Sequence, residues 1–246
     1  CLRSATCPKR CQKTWRKSNR KEGLSVKQAL ILFTRVPIAG KTKTRLQTAL
    51  TPEQCARAHS AFLQDVASSC LSPQQWDLLV FYGEEGPLSV LQELLPQQKD
   101  FFLQQGKTLG EKMDRAITDT FKMGYERCVL IGADLPLINR EIIAKAMRVL
   151  EETSLVLGPT VDGGYYLVGS TKPCPEIFSG QSYGGSSVFE NTVAAAQKAG
   201  FSLGTVDPME DIDQPEDLRN FADKLSMQPE EICPHSRRFL RELGWI

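Results

Sequence analysis

Short apolar runs alternate with amphipathic segments along most of this chain. The runs with the length of buried strands lie at 29–34, 76–82 and 128–131. Apolar residues recur at helical spacing over 109–123 and after Asn139, and Thr51-Pro52-Glu53-Gln54 has the pattern of a capping box. Strands that alternate with helices predict an α/β fold with a mainly parallel sheet flanked by helices.

The second half of the chain is less regular. Two short strands are predicted at 155–157 and 165–168, joined by an Asp-Gly-Gly turn. A helix is predicted from Ser186 or Ser187 to about Ala199, followed by a strand at 201–206. Asp213 precedes Gln214-Pro215-Glu216, which predicts a helix with an aspartate cap.

The N-terminal residues differ from the rest of the chain in their charge. The chain has 246 residues, 41% hydrophobic and 24% charged, which is typical of one globular domain. Residues 1–22 contain eight Lys or Arg and a single acid, so the remainder is acidic, because the whole chain has a formal charge of only +1. Clustered basic residues can bind RNA, but a disordered tail is the preferred interpretation, and nucleic acid is not an expected partner. Cys7 and Cys11 match no complete zinc motif.

The other five cysteines show no paired spacing, which favours buried thiols in a reducing compartment. They are Cys55, Cys70, Cys128, Cys174 and Cys233. No apolar run approaches the roughly 18 residues of a membrane span, and the leader lacks the apolar core of a signal peptide. We therefore expect a cytoplasmic protein with no membrane partner.

A basic loop follows the first predicted strand. Arg35, Lys41, Lys43 and Arg45 lie within eleven positions, and Gly40 allows close approach of a ligand to the backbone. Cationic side chains and backbone N–H groups are what a nucleotide phosphate chain requires. The loop fits neither the P-loop of nucleoside triphosphatases nor the Gly-x-Gly-x-x-Gly motif. A phosphate-binding loop and a solvated basic loop therefore explain these residues about equally.

Acidic residues follow two later strands. Asp134 comes directly after the strand at 128–131, and Asp211 and Asp213 follow the strand at 201–206. Carboxylates at the carboxyl edge of a sheet suit Mg²⁺ or Mn²⁺, which would bridge diphosphate oxygens. Asp134 could instead be a turn residue, and Asp213 could cap a helix as well as bind a metal.

The Asp162-Gly163-Gly164 turn is the third candidate element. Its backbone N–H groups could contact an acceptor or sugar, with Asp162 as a base or a hydroxyl-binding group. An ordinary tight hairpin explains the same residues. His59 and His235 fit no catalytic or metal-binding spacing, so we expect them to be structural or solvent-facing.

Five ordered blocks between about Leu30 and Leu218 resemble the radical-SAM/selenodomain-associated transferase family 1. The blocks are 33–46, 109–113, 131–136, 158–169 and 211–218. This family is also described as an arsenosugar-biosynthesis glycosyltransferase family, and the resemblance implies a nucleotide-diphospho-sugar transferase fold of type A. The loop at 37–46 also resembles the triphosphate-binding loop of phospholactate guanylyltransferase-like enzymes.

The resemblance implies a role for each block. Arg35, Lys43 and Arg45 would bind phosphates and Glu111 would lie in the nucleotide site, with Asp134 as the metal-binding acid. Asp211 or Asp213 would complete the metal site. The acceptor would contact Gly163, Gly164, Tyr165 and Tyr183. Relatives usually carry Trp-Gly where this chain has Tyr183-Gly184, which implies an altered acceptor pocket.

These observations predict a basic leader over 1–27, a nucleotide-binding transferase domain over 28–225 and a C-terminal helical extension over 226–246. The expected reaction is metal-dependent transfer from a nucleotide-diphospho-sugar to a small acceptor, with Asp134 and Asp162 as the catalytic residues. Two alternatives stay open. One is a nucleotidyltransferase that releases pyrophosphate from a nucleoside triphosphate, and the other is a nucleotide-binding module without turnover.

Overall fold

Seven strands form one central sheet in the computed structural model of the chain, which describes residues 26–246. The strands are β1 (Gln28–Thr34), β2 (Asp77–Tyr82), β3 (Phe101–Leu103), β4 (Arg127–Gly132), β5 (Leu155–Pro159), β6 (Tyr165–Ser170) and β7 (Leu203–Thr205). Their order is β3-β2-β1-β4-β6-β5-β7, and β6 runs antiparallel to β4 and β5 whereas the other pairs are parallel. The predicted mainly parallel sheet is confirmed. Most of the predicted leader, including Cys7 and Cys11, lies outside the described residues.

Helices cover both faces of this sheet. They are α1 (Pro52–Ser69), α2 (Leu88–Leu94), α3 (Leu109–Lys122), α4 (Arg140–Glu152), α5 (Val188–Lys198), α6 (Pro215–Ser226) and α7 (Pro234–Glu242). Leu30 of β1 packs in a core with residues of α1 and α4, whereas the next residue, Ile31, packs with α3 and α5. A third cluster joins α1 to α6 and α7. Within residues 26–246, no helix combines the length and apolar character required to cross a membrane.

The starts of three helices test the predicted caps. Thr51 and Gln54 form the expected capping box of α1, with N–H···O distances of 3.2 and 2.8 Å. Asn139 caps α4 by accepting from two backbone N–H groups. The predicted Asp213 cap is wrong, because the cap of α6 is Gln214 and its partner is Asp217. The Asp213 side chain is therefore available for other contacts.

One buried carboxylate anchors α7 to α1. Asp65 of α1 accepts hydrogen bonds from the backbone N–H of His235 (3.0 Å), from that of Ser236 (2.8 Å) and from the Ser236 hydroxyl. N–H groups in the first turn of a helix have no partner within the helix, so Asp65 acts as a cap supplied by a second helix. Just before α7, the Cys233 thiol donates to the carbonyl of Pro136 at 3.0 Å. These contacts attach α7 both to α1 and to the segment that follows β4.

Candidate nucleotide and phosphate site

The basic loop and the predicted acids meet at one edge of the sheet. The loop follows β1, Asp134 follows the neighbouring parallel strand β4, and Asp211 and Asp213 follow β7. The backbone N–H of Ile212 donates to the carbonyl of Asp134 at 3.1 Å, which joins the last two segments. Ligands of open α/β sheets bind outside the carboxyl ends of the strands, which is where these residues lie.

The loop after β1 is held in a defined shape by its own hydrogen bonds. The Ile38 carbonyl accepts from the Lys41 N–H at 3.0 Å and from the Thr42 hydroxyl at 3.1 Å. Gly40 between them has a φ of +75°, a conformation that favours glycine. The Arg35 guanidinium closes the loop by donating to the Lys41 carbonyl at 3.0 Å. These hydrogen bonds together hold the loop backbone in one conformation.

Lys43 lies inside the site rather than on its surface. Its side chain is 5% exposed, and its ammonium Nζ lies 2.7 Å from Asp134 Oδ1 and 3.6 Å from Asp213 Oδ1. It also donates to the carbonyl of Ile212. The residue has a φ of 49°, in the left-handed region that non-glycine residues seldom adopt. Lys43 thus joins the basic loop to both acidic segments with a single positive charge.

The other cations of the loop face solvent. The side chains of Arg35 and Arg45 are 63% and 60% exposed, and Lys41 is exposed too. Arg45 pairs with Asp213 Oδ2 at 2.9 Å, and the Lys41 ammonium donates to the Glu85 carbonyl at 3.2 Å. Exposed guanidinium and ammonium groups at the mouth of an ordered loop can exchange these contacts for phosphate oxygens.

A buried histidine contacts Asp134, which the sequence did not predict. His59 of α1 lies with Nδ1 3.8 Å from Asp134 Oδ1, and its Nε2 lies 3.1 Å from the Thr34 hydroxyl. Burial lowers the pKa of His59, so the ring is neutral at pH 7. Burial would raise the pKa of Asp134, but the charge and hydrogen bond of the Lys43 ammonium, together with the Arg35 charge, hold that pKa below its usual range. Asp134 therefore stays ionised.

Asp211 carries negative charge that its surroundings do not balance. Burial, together with the charges of Asp213 and Asp162, raises its pKa to about 6. Asp162 itself accepts from the Thr160 hydroxyl and, at 3.2 Å, from the Gly164 N–H. Its carboxylate is therefore fixed within the β5–β6 turn. A cation bound here would offset the charge excess around Asp211.

Two glycines and two tyrosines lie between this turn and the start of α5. Gly163 has a φ of +90°, and a Cβ on it would lie 2.0 Å from the Ser186 carbonyl oxygen. The hydroxyls of Tyr165 and Tyr183 are 3.2 Å apart, and the rings pack edge to face. The structure thus brings the four predicted acceptor residues together around the start of α5.

Glu111 makes only local contacts in this structure. Its Oε2 accepts from the Lys107 N–H at 2.7 Å, and its own N–H donates to the Thr108 hydroxyl that caps α3. Glu111 therefore stabilises the loop between β3 and α3. Its role in nucleotide binding stays a prediction. Across residues 26–246, no three His, Cys, Asp or Glu side chains are close enough together to hold one metal ion.

Comparison with known proteins relates this chain to a protein family and to solved structures. A family described as an uncharacterized protein conserved in bacteria, DUF2064, matches residues 66–185. A crystal structure from Desulfovibrio desulfuricans G20, described provisionally as a nucleotide-diphospho-sugar transferase, is 30% identical with a TM-score of 0.82. The similarity covers 89% of this chain and 96% of that one. The chain belongs to the DUF2064 family.

More distant structures share the fold of this DUF2064 chain. A cytidylyltransferase from Leptospira borgpetersenii is 13% identical with a TM-score of 0.53, covering 89% of this chain and 95% of that one. A CMP:2-keto-3-deoxy-manno-octonic acid synthetase solved with CTP is 10% identical with a TM-score of 0.52, covering 81% and 98%. No curated protein matches significantly. The predicted nucleotide-diphospho-sugar transferase fold is confirmed. Sequence identities as low as 10–13% establish a shared fold and do not establish a shared function.

Proposed function

We propose that this DUF2064 protein transfers a glycosyl group from a nucleotide-diphospho-sugar to a small acceptor. The observation that carries the proposal is the convergence of the ordered basic loop with Asp134 and Asp213 on one buried ammonium, that of Lys43. The relative that is 30% identical supports the donor class. We also propose that the chain is a member of the narrower radical-SAM-associated family and that it is cytoplasmic. The five cysteines of the described residues are all buried free thiols, which is consistent with a reducing compartment.

The diphosphate of the donor would lie against the basic loop. Arg35, Lys41 and Arg45 expose their charged ends, and bidentate contacts from guanidinium groups to phosphate are strong and directional. Because hydrogen bonds hold the loop in one conformation, these cations can stabilise the negative charge that develops on the departing nucleoside diphosphate.

The acids of the site fit a hard divalent cation. Asp134 and Asp213 already share one positive charge, and the environment of Asp211 has an excess of negative charge. Mg²⁺ is commonly held by one or two carboxylates and completed by water and substrate phosphates, so a preassembled cluster of three acids is not required. We propose Asp134, Asp211 and Asp213 as the residues that would hold Mg²⁺ or Mn²⁺, which would neutralise the diphosphate.

In the proposed reaction, the acceptor hydroxyl oxygen forms a bond to the anomeric carbon of the sugar. The bond from that carbon to the diphosphate oxygen breaks, and its electron pair leaves with the nucleoside diphosphate. The hydroxyl proton passes to Asp162, whose carboxylate is fixed by Thr160 and Gly164. Gly163, Gly164, Tyr165 and Tyr183 are proposed to line the acceptor side, and Glu111 the nucleotide side.

Nucleotidyl transfer is the second candidate. Four basic residues within eleven positions suit a triphosphate at least as well as a diphosphate, and cytidylyltransferases have the same fold. In this reaction the acceptor oxygen would attack the α-phosphorus of a nucleoside triphosphate, and pyrophosphate would leave with the electron pair. The same loop would bind the leaving group in both reactions.

The released product separates the two reactions. The protein is incubated with Mn²⁺, a mixture of small hydroxyl compounds, and either nucleotide sugars or nucleoside triphosphates. We expect release of a nucleoside diphosphate from one nucleotide sugar, at least about 100-fold slower in Asp134→Asn and unchanged in Asp223→Asn, an exposed acid of α6. Release of pyrophosphate would establish nucleotidyl transfer instead. A folded protein that releases neither product would contradict both reactions and favour a binding module.

A further inference from the structure

His59 places a polar ring on the buried face of α1. Its helical neighbours Cys55, Ala58, Phe62 and Leu63 are fully buried, and His59 itself is only 4% exposed. An imidazole ring removed from water in this way destabilises the fold unless its nitrogens find hydrogen-bond partners. An apolar side chain could pack against the same neighbours without that cost. Packing alone therefore does not require a histidine at this position.

The two ring nitrogens of His59 differ in their partners. Nε2 lies 3.1 Å from the Thr34 hydroxyl and 3.3 Å from the Arg35 carbonyl. Nδ1 is buried and makes no hydrogen bond within residues 26–246. The charged group that faces Nδ1 is the Asp134 carboxylate, whose Oδ1 is 3.8 Å away, too far for a hydrogen bond. A small movement of this carboxylate would give Nδ1 the partner that it lacks.

The Asp134 carboxylate is paired with Lys43 through the same oxygen. The Lys43 ammonium lies 2.7 Å from Oδ1, and neither this contact nor the one to His59 uses Oδ2. Oδ2 is therefore the oxygen that is left for a cation or a substrate. A phosphate bound by the basic loop would compete with Asp134 for the ammonium. If Lys43 turns to a phosphate, the side chain that still faces Oδ1 within residues 26–246 is His59.

The surroundings of the ring favour a proton on Nδ1. The Asp134 carboxylate, paired with Lys43, can only accept a hydrogen bond, so an unprotonated Nδ1 would bring two acceptors face to face. The Thr34 hydroxyl can donate to an unprotonated Nε2, whereas the Arg35 carbonyl suits the opposite tautomer. A hydrogen bond to a charged carboxylate is stronger than one to a neutral carbonyl. The donor that faces Asp134 is therefore Nδ1–H.

We infer that His59 is a positioning residue for Asp134, and that its Nδ1–H binds Oδ1 when the Lys43 ammonium moves to a phosphate, so that Oδ2 stays directed at a divalent cation. This inference rests on the proposed function, in which Asp134 holds that cation. The hydrogen bond requires the distance from Nδ1 to Oδ1 to shorten from 3.8 Å to about 2.9 Å, which rotation of a carboxylate that is 42% exposed can supply. Ligands held by such outer hydrogen bonds bind their metal more tightly.

Two polar substitutions separate this role from a structural one. The amide nitrogen of His59→Asn lies near the position of Nδ1 and keeps a donor toward Asp134, whereas that of His59→Gln lies near Nε2 and keeps the contact with Thr34. The affinity of each full-length protein for Mn²⁺ is measured by electron paramagnetic resonance of free Mn²⁺. We expect the dissociation constant to rise at least about tenfold in His59→Gln and less than about threefold in His59→Asn. Equal affinities of the two variants, or the opposite order, would overturn the inference.

The tautomer of His59 provides a second test that needs no substitution at the buried position. The chain has two histidines, so ¹⁵N spectra of the imidazole rings in His235→Gln report on His59 alone. This variant keeps the backbone N–H of residue 235 that Asp65 accepts. We expect a protonated Nδ1 and an unprotonated Nε2 at pH 7, and the reverse tautomer would overturn the inference.

The two proposals fail in different ways. No Mn²⁺ binding by the unsubstituted protein would refute the proposed cation site, and the role of His59 with it. Mn²⁺ binding that is as tight in His59→Gln as in the unsubstituted protein would refute the role of His59 alone, and the transferase proposal would stand.

Discussion

Replacing Lys43 by methionine removes the one positive charge shared by Asp134 and Asp213. Methionine keeps a long apolar side chain, so the packing beside Phe62 is largely retained while the ammonium is lost. The two carboxylates then repel each other, and the Ile212 carbonyl loses its donor. Both stability and cation binding should change, in opposite directions.

The structure sets the size of the stability change. Breaking a fully buried ion pair costs about 3–5 kcal/mol, and a hydrogen bond to a charged group contributes about 1.5–3 kcal/mol. The carboxylates of Asp134 and Asp213 are 42% and 39% exposed, so water replaces part of what they lose. We therefore expect a loss of about 2–3 kcal/mol. For a chain of this length, that lowers the melting temperature by roughly 4–12 °C.

The assay is thermal unfolding of Lys43→Met beside Lys41→Met. Lys41 is on the same loop but exposed, and it donates only to a carbonyl, so its loss should change stability by less than about 0.5 kcal/mol. Millimolar Mn²⁺ should raise the melting temperature of Lys43→Met more than that of the unsubstituted protein, because no ammonium competes for the acids. Equal melting temperatures for the two variants would refute the role of Lys43, and an absent Mn²⁺ effect would refute the fit of the acids to a cation.

Three further substitutions test the Asp65 hydrogen bonds, the close packing of Gly163 and the raised pKa of Asp211. Asp65→Ala removes the acceptor of three hydrogen bonds at the start of α7 and should cost about 2–3 kcal/mol in urea unfolding, whereas the exposed Asp223→Ala should cost under about 0.5. Gly163→Ala should destabilise by at least about 2 kcal/mol, more than Gly180→Ala, which has a similar positive φ but open space around its Cβ; equal effects would argue against the contact with Ser186. Asp211 binds its proton up to about pH 6 in the folded chain but only up to its usual pKa of 3.8 when unfolded, so its ionisation lowers stability as pH rises through this window. Asp211→Asn should thus gain in melting temperature relative to the unsubstituted protein between pH 4 and 7, and a constant difference would contradict the raised pKa.

Local signals in the sequence predicted much of the fold. The capping box at Thr51 and the cap at Asn139 depend on neighbouring residues, and both are present. The apolar runs predicted six of the seven described strands to within two residues at each end. The loop after β1 and the acids after β4 and β7 were placed at the correct edge. Strand β3 and helix α2 were not predicted, because at three and seven residues they are too short for a periodic pattern.

The contacts within the site could not be predicted, because they depend on how distant segments pack. Lys43 resembles the other basic residues of its loop in sequence, yet its ammonium is buried between two acids that are far along the chain. His59 lies on the apolar face of α1 and reaches Asp134 only because α1 packs beside the carboxyl end of β4. Asp213 looked like a helix cap, and the helix starts one residue later because Gln214 and Asp217 form the cap. For Lys43 and His59, tertiary packing selects among roles that local sequence leaves equivalent, whereas for Asp213 the neighbouring Gln214–Asp217 pair decides.

The central claim, that the basic loop and Asp134 bind a nucleotide donor, is tested most directly by thermal stabilisation. Nucleotide sugars, nucleoside diphosphates and triphosphates are compared with and without Mn²⁺. A ligand present at about 100 times its dissociation constant adds about 2.7 kcal/mol, which is roughly 5–11 °C here. We predict a metal-dependent rise of this order with one nucleotide sugar, lost in the Arg35→Met/Arg45→Met double variant and kept in Lys99→Met/Arg148→Met, whose residues are exposed and outside the loop. No rise with any nucleotide, or an equal rise in both double variants, would contradict the claim.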